Sequence, residues 1–220
     1  MRLRVVFVAV AVAAVAGCGS SSSNESTKTA AQIVQDATSA AKSANGVHLS
    51  GTFVTSGRHV VLTLDLGQQS GQGTLDVGDA HADVARVGTV SYIRPNSAFV
   101  KLFFGSAAAA LFHDRWLSGS TTKPPLNALA QYLSIPGLLK AAVTGTASNT
   151  LKKLGSRTYK GQKVIAISDP ADHETLFVAA EGKPYPVAAT GRATIEFSNW
   201  DKDVKVTPPT GATDITGLGG

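Results

Sequence analysis

The stretch GVHLSGTFVTSGRHVVLTLDLG, residues 46–67, sets the architecture of this chain. Apolar and polar residues alternate on both sides of Ser56 and Gly57, a pair typical of a tight turn. Two half-buried antiparallel strands are therefore predicted. Their apolar face consists of Val47, Leu49, Gly51, Phe53, Val60, Leu62, Leu64 and Leu66. This face has to be covered by another part of the chain.

Further short strands are predicted before and after a central region, residues 96–142, that lacks the strand pattern. They are predicted at 73–77, 80–87, 90–94, 151–159, 162–168, 174–180, 185–190 and 194–200, separated by turn residues. An Ala-rich amphipathic helix is predicted over 29–44, with a stop at Asn45-Gly46. The Gly- and Thr-rich tail from Pro208 is expected to fray.

The central region is helical in period and rich in aliphatic residues. Two or three short helices are predicted over residues 96–112 and 126–142. Lys123-Pro124-Pro125 separates the two stretches. The order of helix, strands, helices and strands predicts an α+β fold with one large antiparallel sheet and its helices on one face. Residues 29–220 are long enough to form this as a single domain.

The start of the chain predicts export and lipidation. Two arginines precede twelve apolar residues from Val5 to Ala16, which as a helix would rise about 18 Å and fall short of a bilayer core of about 30 Å. The following Val15-Ala16-Gly17-Cys18 resembles the bacterial lipobox. Residues 1–17 are therefore predicted to be a lipoprotein signal peptide, and 18–28 a lipidated Cys18 with a Ser-rich flexible tether. The alternative is an ordinary signal peptide with an incidental cysteine.

Composition narrows the function classes. Cys18 is the only cysteine, so an internal disulfide is excluded. The chain has a formal net charge of +5, and Arg2 and Arg4 leave with the signal peptide. Because no basic stripe is interleaved with aromatic residues, no nucleic-acid partner is expected.

Catalytic and metal-binding motifs are weak. Ser39 and Lys42 have a Ser-x-x-Lys spacing but lack the partner motifs of the enzymes that use it, so a hydrolase is the minor alternative. Asp169, Asp172, His173 and Glu174 flank a proline turn, where aspartate is favoured for local backbone bonds. His48, His59 and His81 fall on polar strand faces. The protein is expected to have no enzymatic activity, no cofactor and no metal.

The interior of the predicted fold allows two interpretations. Either the sheet and the helices fill each other completely, or a curved sheet under loosely covering helices leaves an apolar cavity for acyl chains. Periodicity alone favours the packed core.

Several segments resemble a known family. They are GVHLSG at 46–51, DRWL at 114–117, YKGQKV at 159–164, LFVA at 176–179, GKPYPV at 182–187, FSNW at 197–200 and VTPP at 206–209. Together with the lipobox they resemble the actinobacterial lipoproteins of the LppX/LprG type. The resemblance implies a curved antiparallel half-barrel with helices on its concave face, similar to LolA.

The same resemblance implies a function. Members of this family hold acylated lipids or lipoglycans in an apolar cavity and carry them through the envelope, some of them alongside a membrane transporter. The expected partners are an acylated lipid or glycolipid, the plasma membrane through the anchor on its extracytoplasmic face, and a transporter, with the protein itself a monomer. An envelope-sensing or protein-binding module on the same fold is the alternative. The expected cavity lining is Phe53, Leu62, Leu64, Phe99, Leu102, Phe103, Leu111, Leu133, Leu138 and Leu139.

Overall fold

A computed structural model describes residues 25–143, 151–170 and 173–218 of the chain. The predicted signal peptide, Cys18 and residues 18–24 of the predicted tether lie outside these ranges. The end of the predicted tether lies inside them, where Glu25–Thr27 is a 3-10 helix with Glu25 fully buried.

Twelve strands of the described residues form one open, curled sheet. They are β1 Gly46–Thr55, β2 Arg58–Gly67, β3 Ser70–Val77, β4 Ala80–Val87, β5 Val90–Pro95, β6 Leu117–Ser120, β7 Lys152–Tyr159, β8 Gln162–Asp169, β9 Glu174–Ala179, β10 Pro186–Thr190, β11 Ala193–Ser198 and β12 Thr213–Asp214. Their order across the sheet is β12-β6-β5-β4-β3-β2-β1-β11-β10-β9-β8-β7. The pairing of β1 with β11 joins the two halves of the chain, and the pair β12–β6 alone is parallel within the described ranges.

Five helices accompany the sheet in the described chain. They are α1 Ala30–Ser43, α2 Ser97–Phe104, α3 Ser106–Phe112, α4 Asn127–Ala130 and α5 Ile135–Val143. α1 begins with a capping box, in which Thr29 Oγ1 accepts from Gln32 N (3.3 Å) and Gln32 Oε1 accepts from Thr29 N (2.9 Å).

All of this packing lies on one face of the sheet, called the inner face. α1 places Ile33 and Ala37 against Ile165, Ile167 and Val178 of β8 and β9. Helix α2 and the α4–α5 region contribute Phe99, Leu133 and Ile135 to a second cluster, which includes the inward residues of β1 and β2. The predicted α+β fold, with a curled antiparallel sheet and helices on one face, is confirmed.

Three details differ from the prediction. The central region holds four helices, because the backbone of 96–112 breaks at Gly105, whose φ of 87° ends α2 and starts α3. Strand β6 was not predicted, since its LSGS sequence has almost no pattern. The expectation of a frayed tail is wrong: β12 pairs with β6, and Ile215 is buried in the main cluster.

Candidate functional site

Two ends of the sheet have to be distinguished. The hairpin end carries the turns at 56–57, 78–79 and 191–192 and the connection between β8 and β9. The base end carries the turns at 68–69, 88–89 and 160–161. A Cβ added to Gly191 would lie 2.6 Å from His173 O, so two connections of the hairpin end are in contact.

The inner face near the hairpin end carries an incompletely covered apolar surface. Strand register places Ile195 and Leu62 on either side of Gly51, Leu75 beside Leu62, and Phe53 and Val77 on either side of Val60. Facing positions on adjacent strands bring Cβ atoms within about 5 Å. The half-buried residues of this surface form what we call the apolar mouth: Phe53, Leu62, Leu75, Val77 and Ile195.

The base end of the same strands is fully covered. Val47, Leu49, Leu64 and Leu66 are at most 6% exposed. On β1 burial therefore decreases from the base end to the hairpin end, and on β2 Leu62 is more exposed than Leu64 and Leu66, although Val60 beyond it is buried. The apolar mouth is continuous with the buried core.

The connection between α4 and α5 closes the base end. Leu133 is fully buried, and a Cβ added to Gly71 of β3 would lie 2.7 Å from Leu133 O. Arg86 lies in register with Gly71 on β4 and donates from Nη1 to Ala130 O (3.0 Å) and Ser134 Oγ (3.2 Å). A cation on the last carbonyl of α4 ties this connection to the sheet.

Helices α2 and α3 form an arm, residues 96–114, that leaves and rejoins the sheet at the hairpin end. Asn96 Oδ1 accepts from Phe99 N (2.8 Å) and from His81 N (3.1 Å), which fixes its start. Asp114 N donates to Pro95 O (2.7 Å), which fixes its end. Because both attachments lie beside the apolar mouth, the arm covers the inner face from that side.

The residues expected to line a cavity fall into three groups. Leu64, Phe99 and Leu133 are buried members of the main cluster. Leu62, Leu102, Leu138 and Leu139 are partly buried and pack against that cluster, and Phe53 is half-buried in the apolar mouth. Phe103 and Leu111 are 53% and 61% exposed on the α2–α3 arm. The structure brings the first two groups together on the inner face and leaves Phe103 and Leu111 outside it.

Leu75, Val77 and Ile195 were missing from the expected lining. Each lies on a strand that was predicted, so alternation along β3 and β11 indicates a common face for Leu75 and Val77 and an inward Ile195. Cross-strand register was the missing information, since pairing with Leu62 and Gly51 identifies that face as the inner one.

The outer face of the sheet is largely polar on β1–β3, whereas on β7–β10 it carries the buried Val164, Ala166 and Ala188 and the stacked pair Tyr159–Phe177. His48 Nδ1 contacts Asp65 Oδ1 (2.8 Å), and His81 Nδ1 contacts Asp76 Oδ1 (2.6 Å). These cross-strand pairs lie on adjacent strands and are partly exposed, and the predicted position of both histidines on polar strand faces is confirmed.

An aromatic and ionic cluster lies at the base end. Tyr185 stacks on Trp200 with ring centroids 4.6 Å apart, and its hydroxyl donates to Asp201 Oδ2 (2.7 Å). Lys183 Nζ donates to the same oxygen (2.6 Å). A cleft of about 490 Å³ lies beside these residues and is bordered by Phe197 and Ser198. Both Lys183 and Tyr185 already use their polar atoms on Asp201, so the cluster serves packing of the β9–β10 connection.

This cluster predicts a dependence of stability on acid. The hydrogen bond from Lys183, followed by that from Tyr185, lowers the pKa of Asp201 below its ordinary value of 3.8. A depressed folded-state pKa contributes stability above the ordinary value, and the contribution is lost as pH falls through the folded-state pKa. We expect the urea midpoint of Asp201→Asn to change less than that of the wild type between about pH 4 and pH 2. Asp203→Asn, a change at an exposed neighbour, serves as the control, and an identical loss in the wild type and Asp201→Asn would contradict the assignment.

The described residues do not arrange the candidate catalytic and metal-binding side chains into a site. Ser39 Oγ donates to Gln35 O (2.8 Å), and both Ser39 and Lys42 are exposed on α1. Of the acidic residues near Pro170, Asp169 is buried and Asp172 lies outside the described ranges. Within those ranges no group of three or more side chains of the metal-binding types comes together. Nor does any helix there have the length and apolar character needed to cross a membrane.

Comparison with known proteins identifies the fold. No protein-family model and no curated protein matches the chain. The crystal structure of LprF from Mycobacterium bovis matches with a TM-score of 0.56 over 83% of this chain and 97% of that one, at 18% identity. PNGF-II matches at 8% identity over 79% of this chain and 31% of that one, but its TM-score of 0.27 carries no argument. The chain thus has the fold of LprF, and the LppX/LprG-type fold that its sequence predicts is confirmed.

Proposed function

We propose that this protein is a membrane-anchored lipoprotein of the cell envelope that binds the acyl chains of a lipid or glycolipid and serves its transport or assembly. The chains enter between the inner face of the sheet and its helices, through the apolar mouth. The protein works without catalysis, cofactor or metal, and its Cys18 carries the anchor at the extracytoplasmic face of the plasma membrane.

The apolar mouth is the observation that carries this proposal. Five large apolar side chains on four adjacent strands remain half-buried, while the base-end residues of two of these strands, β1 and β2, are covered. Burial of apolar surface stabilises a complex by about 25 cal/mol per Å². An acyl chain laid along Leu62 and Ile195 gains this energy without any specific polar contact, so the absence of a polar motif in the sequence is consistent with such a ligand.

The difference between the open hairpin end and the closed base end supports the orientation of the ligand. The buried core extends from the apolar mouth toward the base end, where Leu133 and Arg86 close the interior. A polar head group therefore stays at the hairpin end, in water, while the acyl chains point toward the base end.

Filling the mouth with a large side chain tests the proposal. Leu62→Trp should abolish most of the noncovalent lipid that organic extraction releases from the purified, anchored protein, because the indole occupies the space of an acyl chain. Val61→Trp is the matched control, since Val61 directly precedes Leu62 in β2, lies on the outer face and is 43% exposed. Native mass spectrometry of intact protein measures the occupancy, and the covalent anchor is counted separately because extraction leaves it attached.

Two results would overturn the proposal. One is wild-type protein from its native host that releases no noncovalent lipid. The other is equal occupancy in Leu62→Trp and wild type. In the first case the envelope-sensing or protein-binding module becomes the better interpretation of the same fold.

A further inference from the structure

We infer that the hairpin end of the domain rests on an anionic membrane surface, so that the apolar mouth opens directly onto the lipid leaflet. This inference takes the anchor at Cys18 and the lipid ligand from the proposed function. It adds a docking surface and an orientation, which place loading and release of lipid at the membrane itself.

The position where the chain enters the domain is the first argument. Lys153 Nζ donates to Ser26 O (2.9 Å) and Lys28 O (2.7 Å), which fixes the first described residues beside the start of β7. Lys28 is held in turn by Asp36 (2.6 Å) and Glu25 (2.9 Å). Because Lys153 pairs with Ile167 near the end of β8, this entry point lies at the hairpin end. Residues 18–24 span at most about 25 Å when fully extended, so an acylated Cys18 keeps this end close to the membrane.

Exposed apolar side chains at the same end are the second argument. Phe103 and Leu111 lie on the α2–α3 arm, whose two attachments are both at the hairpin end, and Val54 precedes the 56–57 turn with 56% exposure. Large apolar residues on an arm beside an apolar mouth match the interfacial layer of a bilayer, where such side chains insert among the head groups.

Charge at the hairpin end is the third argument. Arg58 follows the 56–57 turn, Arg192 lies in the 191–192 turn, and Lys101 is exposed on α2. Asp79, Asp114 and Glu174 lie at the same end, where Asp114 is paired with His113 (2.8 Å) and Asp83 with Arg94 (2.7 Å). Basic residues beside inserted apolar ones are attracted to the anionic lipids of a membrane surface.

A fluorescent probe on the anchored protein tests the orientation. Cys18 is the sole native cysteine, so Leu111→Cys and Leu218→Cys each introduce one labelling site beyond the acylated residue. The two positions are matched in exposure, at 61% and 62%, but Leu218 follows Gly217, whose amide donates to Pro124 O on the side opposite to the hairpin end. Each labelled protein is reconstituted into vesicles of phosphatidylcholine with phosphatidylglycerol, some carrying a lipid-attached quencher.

The expected result is quenching several-fold stronger at position 111 than at position 218. Phe103→Ser in the Leu111→Cys protein should reduce that quenching, and so should vesicles of phosphatidylcholine alone. Equal quenching at both positions, or stronger quenching at 218, would overturn the inferred orientation. Quenching at 111 that does not differ between the two vesicle types would overturn the anionic preference.

The outcome can be separated from failure of the proposed function. The intact mass of each labelled protein reports acylation of Cys18, and solvent extraction reports lipid in the interior. An acylated protein without extractable lipid that still shows stronger quenching at 111 supports the docking surface while refuting lipid binding. An acylated, lipid-filled protein with equal quenching refutes the docking surface while leaving lipid binding intact.

Discussion

Leu133→Ala should lower the free energy of unfolding by about 3 kcal/mol, the typical cost of removing a buried leucine side chain. Leu133 is fully buried in the main cluster, and its carbonyl oxygen lies against β3 at Gly71. The connection between α4 and α5 cannot easily collapse into the resulting cavity, because Arg86 holds Ala130 O and Ser134 Oγ in place. Urea unfolding of lipid-free protein measures the change.

A neighbouring substitution controls for general effects of altering this connection. Tyr132 is adjacent in sequence and 45% exposed, so Tyr132→Ala should cost well under half as much as Leu133→Ala. Equal losses for the two variants would show that Leu133 does not pack as described. The experiment also separates packing from ligand contact, because a residue that serves only as cavity lining should affect the lipid-bound protein alone.

Gly71→Ala should destabilise the protein by about 2 kcal/mol through overpacking. The added Cβ would lie 2.7 Å from Leu133 O and 2.9 Å from Leu66 Cδ2. The first neighbour is backbone, so relief requires the whole α4–α5 connection to move away from the sheet. The free energy of unfolding, obtained from urea titration, is the quantity to compare.

Gly51→Ala is the matched substitution on the same face. Its Cβ would meet Ile195 Cγ1 at 3.3 Å and Leu62 Cδ1 at 3.4 Å, both of them side-chain atoms in the apolar mouth that can shift slightly. We expect a change within about 0.5 kcal/mol. A cost for Gly51→Ala as large as for Gly71→Ala would mean that the mouth is as tightly packed as the base end.

The first five strands could be predicted from sequence because alternation, turns and length agree in them. β4 matches its predicted bounds, and α1 lies within one residue of its predicted limits at each end. The interruption at Gly105 was missed because the apolar period continues across it, and only the backbone conformation of the glycine ends the helix. β6 escaped prediction because four residues gain their structure from pairing with β5 rather than from their own pattern.

The candidate site was less predictable than the fold. Helical period identifies an apolar stripe on 96–112 but does not say which part of it faces the sheet. Phe99 becomes buried, while Phe103, one turn later with its ring tilted against that of Phe99 at a centroid distance of 4.4 Å, stays exposed. Likewise, alternation assigns Leu64 and Leu62 to one face without distinguishing covered from half-covered positions. That distinction depends on where the helices cross the sheet, which is a long-range property.

The two edge strands of the sheet bear on whether copies of this protein associate with one another. An open sheet invites strand addition by a second copy. Here one border ends in β12, a strand of two residues followed by the buried Ile215, and the other border strand, β7, carries Lys152 and Arg157 and is interrupted by an irregularity between Lys153 and Gly155. The proposed membrane anchor would concentrate the protein in one plane, and borders of this kind disfavour strand addition between neighbouring copies there.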